Sequence, residues 1–143
     1  ETVVRALIEA GADINKASDD GTTPLYIATQ EGHETVVQAL IEAAADINLA
    51  TDIGVTPLHI AAQEGHETVV QALIEAGADI NKASDDGTTP LYIATQEDHE
   101  AVLRALIEAG ADNNKARDNG ATPLHIATQE GHEAVVRALI EAG

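Results

Sequence analysis

Apolar and polar residues follow one another along this chain with helical spacing, and the same pattern returns every 33 residues. In one unit, Val36, Val37, Leu40 and Ile41 fall on one side of a helix, while the acidic and amide residues between them face the other way. The pattern therefore predicts a short helix with one buried face. A helix of this length is marginal alone in water, so its stability must come from stacking against its neighbours.

A second helix is predicted just before this one in each unit. Thr23 suits the position that caps a helix N-terminus, and Pro24 suits the first helical position. The helix then runs through Gln30 and stops at Gly32, because glycine accepts the left-handed conformation in which helices commonly end. The segment between one helix pair and the next is rich in Asp, Asn, Ser and Gly, which predicts a projecting turn or hairpin.

The repetition predicts a solenoid, in which each unit buries its apolar face only against its neighbours. We expect a single array over residues 1–143, and we expect it to be a segment of a longer array. The units are a partial repeat at 1–16, full repeats at 17–49, 50–82 and 83–115, and a truncated repeat at 116–143. Residues 16–31 and 82–97 are identical at all 16 positions, which indicates duplication of a two-repeat block.

One unit contains the strings Thr-Pro-Leu-His-Ile-Ala-Ala at 56–62, Glu-Gly-His at 64–66 and Gly-Ala-Asp-Ile-Asn at 77–81. These strings and the 33-residue period are similar to the ankyrin repeat, and the resemblance covers the whole chain. It implies a mainly α fold, a solenoid in which each repeat has a β-hairpin or turn followed by two antiparallel helices. It also implies a non-enzymatic module that binds a partner protein through the hairpin tips and the concave face of the first helices.

The chain departs from the family pattern in its loops. Ankyrin repeats usually place Asp three residues before the loop glycine, where this chain has Ser18, Thr51, Ser84 and Arg117. Serine and threonine can replace part of that hydrogen bonding, whereas arginine accepts no hydrogen bond. Two further positions that hold glycine in the other repeats hold Ala44 and Asp98.

Composition narrows the class of partner. The chain has 25 acidic and 7 basic residues, a net charge of −18, so the phosphates of nucleic acid and of anionic membranes would be repelled. We expect a neutral or basic protein partner, with no nucleic acid and no membrane. The chain has no cysteine, which favours a reducing, intracellular compartment without fixing the localisation.

The histidines and the acidic loops indicate structural roles rather than a catalytic or metal site. His33, His66, His99 and His132 occupy one position in successive repeats, and stacked helices about 8–10 Å apart place them poorly to share a metal ion. The resemblance implies instead that each bonds loop backbone between repeats. The loop around Gly21 does not fit a calcium-binding EF-hand, because Lys16 and Ile27 would stand where acidic ligands belong. We therefore expect no catalytic residue, no metal and no cofactor.

The candidate binding residues lie at the tips and on the outer face of the first helices. The Gln-Glu pair at the end of the first helix is the same in all four repeats, and only the 50–82 repeat has apolar residues at its tip. The candidates are Asp19, Asp20, Thr22, Gln30 and Glu31; Asp52, Ile53, Val55, Gln63 and Glu64; Asp85, Asp86, Thr88, Gln96 and Glu97; and Asp118, Asn119, Ala121, Gln129 and Glu130. We expect Ile53 and Val55 to project from an otherwise acidic edge.

Two alternatives remain beside a natural binding module. The first is an engineered ankyrin-repeat scaffold, which the close similarity of the repeats favours. The second is a structural spacer or an element that self-associates end to end. Its basis is the expectation that both terminal helices expose apolar residues, namely Val3, Val4, Leu7 and Ile8, and Val135, Val136, Leu139 and Ile140.

Overall fold

The computed structural model describes all 143 residues and contains nine α-helices and no β-strand. The helices are α1 (Thr2–Glu9), α2 (Pro24–Gln30), α3 (Glu34–Glu42), α4 (Pro57–Glu64), α5 (Glu67–Glu75), α6 (Pro90–Gln96), α7 (Glu100–Glu108), α8 (Pro123–Glu130) and α9 (Glu133–Ala142). The even-numbered helices pack side by side in one layer and the odd-numbered helices in a second layer. This arrangement confirms the helical solenoid predicted from the sequence. None of the nine helices combines the length and apolar character that crossing a membrane requires.

The first helix of each repeat begins and ends as its residues predict. The Thr23 hydroxyl accepts a hydrogen bond from the backbone N–H of Tyr26 at 3.2 Å, and Pro24 occupies the first turn. Gly32 follows the helix with a φ of +69°, in the left-handed region. The corresponding threonines cap α4, α6 and α8, so local residue choice sets the start of every first helix.

The core lies between the two helix layers and is almost entirely aliphatic. In the central repeat, Val69, Val70 and Leu73 of α5 are each no more than 1% exposed, as is Leu58 of α4. Burial of each such side chain stabilises the fold by about 1.5–3 kcal/mol. These contacts offset the weak intrinsic stability of helices only seven to ten residues long.

The projecting loops are tight turns, the shorter of the two predicted forms. In the first full repeat, the N–H of Gly21 donates to the carbonyl of Ser18 and the N–H of Ser18 donates to the carbonyl of Thr22, both at 2.9 Å. One backbone hydrogen bond then joins each tip to the next, such as that from Asp52 N–H to the Asp20 carbonyl at 3.0 Å. The tips therefore form a continuous edge whose register is set by backbone contacts.

The terminal helices differ from each other in exposure. Helix α1 buries no residue, and Val3 and Leu7 are 72% and 54% exposed, as expected. The expectation is wrong for Val135 and Leu139 of α9, which are 0% and 5% exposed because they belong to the core cluster formed with the preceding helices. On α9 the exposed apolar residue is Ile140, at 64%.

Replacing Ala44 with glycine is expected to stabilise the protein by up to about 1 kcal/mol. Ala44 has a φ of +64°, which strains a residue that has a Cβ, whereas the aligned Gly77 has no neighbour within 4 Å of where a Cβ would lie. The gain therefore comes from the backbone alone. Urea melts would measure it, with Ala43→Gly as the control, because Ala43 has a φ of −82° and should lose about 0.5–1 kcal/mol instead. A lower midpoint for Ala44→Gly would contradict the prediction.

Candidate functional site

Aspartate side chains stabilise two of the four tips. The Asp20 Oδ1 accepts hydrogen bonds from the Ser18 hydroxyl at 2.7 Å and from the Thr22 N–H at 3.0 Å. These bonds, that from Ser18 above all, lower the pKa of Asp20 to about 2. Asp86 receives equivalent bonds in the third full repeat. The family's usual loop aspartate would stand two residues earlier, where this chain has Ser18 and Ser84, so Asp20 and Asp86 take over its role in the turn. The sequence alone did not indicate this. Both carboxylates are ionised at neutral pH.

The tip of the central repeat is built differently. Here the Thr51 hydroxyl accepts the Val55 N–H at 3.3 Å, so the turn closes without a carboxylate. Ile53 stands where Asp20 and Asp86 stand, and its side chain is 64% exposed, as the sequence predicts. Val55 is only half-buried and does not project as expected, since it lies beside the start of α4 rather than at the turn.

The Gln-Glu pairs lie at the opposite end of the first helices from the tips. All eight side chains are exposed. The backbone carbonyls of Gln30, Gln63 and Gln96 each accept a hydrogen bond from a histidine ring of the following repeat, at 3.0–3.1 Å. The predicted binding residues thus form two separate bands, one at the tips and one at the far ends of these helices.

A groove of about 550 Å³ joins the two bands between the first two full repeats. It brings together five of the predicted residues, namely Asp20, Thr22, Gln30, Asp52 and Ile53. It is also lined by Ser18, Tyr26, Ile27 and Thr51, which the sequence reasoning did not select. The other predicted residues lie outside it.

The groove combines exposed apolar surface with negative charge. Ile27 is 50% exposed and faces the same groove as Ile53 and the Tyr26 ring. Burial raises the pKa of Tyr26, with a further contribution from the charges of Asp20 and Glu64, so its hydroxyl stays neutral and available as a hydrogen-bond donor. Tyr26 was not among the predicted binding residues. The sequence does mark it, because two other repeats have histidine at the aligned position.

The equivalent surface in the last two repeats is closed. Arg117 lies over the Tyr92 ring, with its guanidinium carbon 5.3 Å from the ring centroid, and it also pairs with Asp86 of the preceding tip. Tyr92 is only 3% exposed, since α6 lies between α4 and α8 and Arg117 covers its ring. Arg117 accepts no hydrogen bond, as expected, but it joins two repeats as a donor. The pattern within one repeat does not predict this contact, because Arg117 belongs to one repeat and Tyr92 and Asp86 belong to the repeat before it.

Another groove, of about 590 Å³, lies at the N-terminal edge of the array between α1, α2 and α3. Its walls are largely apolar and include Val4, Ala28, Val36 and Leu40. Apart from Ser18, Thr22 and Ile27, its lining is not shared with the groove at the tips. In the later repeats the corresponding side of the first helix is covered by the first helix of the preceding repeat, so the apolar lining of this groove is that of a stacking face in a solenoid.

Three of the four aligned histidines have the structural role that the resemblance implied, whereas His33 is exposed and its ring makes no hydrogen bond to another repeat. His66, His99 and His132 bond the preceding repeat through their Nε2 atoms. His59 is buried: its Nδ1 accepts the Thr56 N–H at 3.1 Å, which leaves Nε2–H to donate to the Thr88 carbonyl at 2.9 Å. Burial lowers the pKa of His59, which keeps the ring neutral in this arrangement.

Comparison with known proteins agrees with this architecture. A protein-family model described as ankyrin repeats in three copies matches residues 1–84 and, separately, residues 81–143. The two matches together span the whole chain. A search of curated proteins finds no match.

Proposed function

Because this chain belongs to the ankyrin-repeat family, whose members generally act in protein–protein interaction and are typically non-enzymatic, we propose that it binds a basic protein partner on its concave face. The observation that carries the proposal is the groove in which exposed Ile53 and Ile27 lie beside Tyr26 and two aspartates. Exposed apolar side chains with a charged rim are the usual anatomy of a protein interface. We assign the anchor role to Ile53.

The charge distribution supports a basic partner. Three of the four arginines, Arg5, Arg104 and Arg137, lie on second helices, away from the tips. The fourth, Arg117, is already paired with Asp86. At the first two tips, Asp19, Asp20 and Asp52 form no ion pair with any arginine or lysine. Attraction between these carboxylates and a basic surface speeds association.

Binding is expected to weaken as salt rises and to depend on Ile53. The probe is a random-peptide library displayed on phage, selected against the wild-type chain at low ionic strength. We expect the selected peptides to combine basic and apolar residues, and their affinity to fall between 0.05 and about 0.5 M salt because screening shortens the range of charge interactions to a few ångströms. The variant Ile53→Asp is expected to bind about tenfold more weakly, equivalent to about 1.4 kcal/mol.

The control is Asn119→Asp, which adds the same charge at the same tip position of the last repeat, outside the groove. It should leave affinity unchanged. Both variants are expected to fold, since Asp20 and Asp86 already occupy this turn position. Selected peptides that bind equally well to the wild type and Ile53→Asp would contradict the proposed surface. Failure to select any saturable binder would favour the spacer or scaffold alternatives.

A further inference from the structure

The chain contains one surface twice, and the two copies differ in the side chain that the following repeat places beside the tyrosine ring. Residues 16–31 and 82–97 are identical, so Tyr26 and Asp20 in the first copy correspond to Tyr92 and Asp86 in the second. The turn bonds also match: Asp20 accepts from Ser18 and Thr22 as Asp86 accepts from Ser84 and Thr88. The two turns therefore have the same hydrogen bonds, and they hold the carboxylates of Asp20 and Asp86 in the same way.

In the second copy a guanidinium occupies this surface. Arg117 stacks over Tyr92 at 5.3 Å and pairs with Asp86 through the carboxylate oxygen Oδ2. The turn bonds use the other oxygen, Oδ1. The ring supplies a face for the flat cation and the carboxylate supplies the opposite charge, a combination that arginine satisfies better than lysine.

In the first copy the residue aligned with Arg117 is Thr51. Its short side chain is used within its own turn, where it accepts the Val55 N–H. Asp20 makes its turn bonds through Oδ1, and no side chain pairs with its Oδ2. Tyr26 remains partly exposed in the groove, whereas Tyr92 is buried. The ring and the carboxylate that hold Arg117 in one copy are therefore open to an external ligand in the other.

We propose that Tyr26 and Asp20 form a binding site for an arginine side chain of a protein partner, held as Arg117 is held by Tyr92 and Asp86. The proposal rests on the proposed function and specifies its partner: a segment in which arginine lies next to an aliphatic residue. Ile53 lines the same groove, where the closed copy has Asn119 at the equivalent tip position. The aliphatic neighbour of the arginine covers Ile53 and removes it from water.

The first test uses small probes of defined chemistry. Acetyl-Arg-Leu-amide is titrated into the ¹⁵N-labelled chain, beside the lysine analogue and the isosteric, uncharged citrulline analogue. We expect saturable shifts of the amides of Thr22, Tyr26 and Thr51 with the arginine probe, and binding about tenfold weaker with the other two, because neither has a flat cation to stack and pair. Equal binding of citrulline, or shifts centred elsewhere on the chain, would overturn the site.

The second test exchanges the decisive residue in both directions. Thr51→Arg should place a guanidinium over Tyr26 within the chain and weaken binding of the arginine probe at least tenfold. Arg117→Thr should open the second copy, so that the probe also shifts the amides of Thr88 and Tyr92. Each substitution copies a residue that the chain already has at the same turn position, and spectra of the distant helices verify the fold. Unaltered binding in Thr51→Arg would overturn the inference.

The two proposals fail separately. If library-selected peptides bind the concave face and depend on Ile53 but lose nothing in Thr51→Arg, the arginine site is wrong and the proposed function stands. If the arginine probe binds at Tyr26 as described but no peptide or protein binder depends on Ile53, the arginine site stands and the proposed interface is wrong.

Discussion

Replacing Gly87 with alanine is expected to lower the free energy of unfolding by about 2–4 kcal/mol, combining backbone strain with steric overlap. Gly87 has a φ of +84°, and a Cβ there would lie 2.7 Å from the backbone nitrogen of Asp118 on the next tip. The same nitrogen donates to the Asp86 carbonyl at 3.1 Å, so relief of the clash would disturb the hydrogen bond that joins the two tips. Denaturant melts would measure the loss.

Gly120 provides the matched control for this substitution. It has the same turn position and the same φ of +84°, but nothing lies within 4 Å of where its Cβ would be. Gly120→Ala should therefore cost only the backbone strain, about 1–2 kcal/mol. The difference between the two variants isolates the contact between tips. Equal losses would show that the tips can separate without cost and would contradict the close register described above.

Replacing Asn113 with isoleucine is expected to raise the free energy of unfolding by about 1–3 kcal/mol, since a buried polar atom without a partner carries a penalty of this size. The Asn113 Oδ1 is buried and has no hydrogen-bond partner. The aligned residues of the other repeats, Ile14, Ile47 and Ile80, all pack against the core. The substitution removes the unpaired acceptor and gives this repeat the isoleucine that packs against the core in the other repeats.

Asn113→Ala separates the two contributions in the same denaturant melts. Alanine removes the unpaired oxygen without filling the space that isoleucine occupies in the other repeats, so it should gain less than isoleucine. Loss of stability in Asn113→Ile would mean that this repeat does not share the packing of its neighbours. Such a result would contradict the structural equivalence of the repeats.

The sequence predicted only some of the residues that line the groove at the tips, and it did not predict the contact between Arg117 and Tyr92. The sequence indicated Ile53 as an exposed apolar residue and Asp20 as an acidic tip residue, because both stand in a turn segment. It did not indicate that Tyr26 joins them, or that Arg117 covers Tyr92. Those contacts link residues of different repeats, about 25 positions apart in the chain, and a pattern within one repeat carries no information about them.

The sequence by itself determined the period, the two helices of each repeat and the points where they begin and end. Thr23, Pro24 and Gly32 act through local backbone geometry and hydrogen bonding, which depend on few neighbours. Even the left-handed conformation of Ala44 follows from its alignment with glycines.

Only the tertiary structure decided which side chains share a surface. Val135 and Leu139 are buried because α9 packs on the repeat before it, although the sequence leaves them at an edge. Tyr26 and Tyr92 lie in identical segments, yet Tyr92 is buried and Tyr26 is not. The helix α6 has a first helix packed on each side, whereas α2 has one only on the side of α4, and Arg117 covers the Tyr92 ring where the following repeat of Tyr26 has Thr51. Exposure and pairing depend on what a neighbouring repeat presents, and stacking alone brings those groups together.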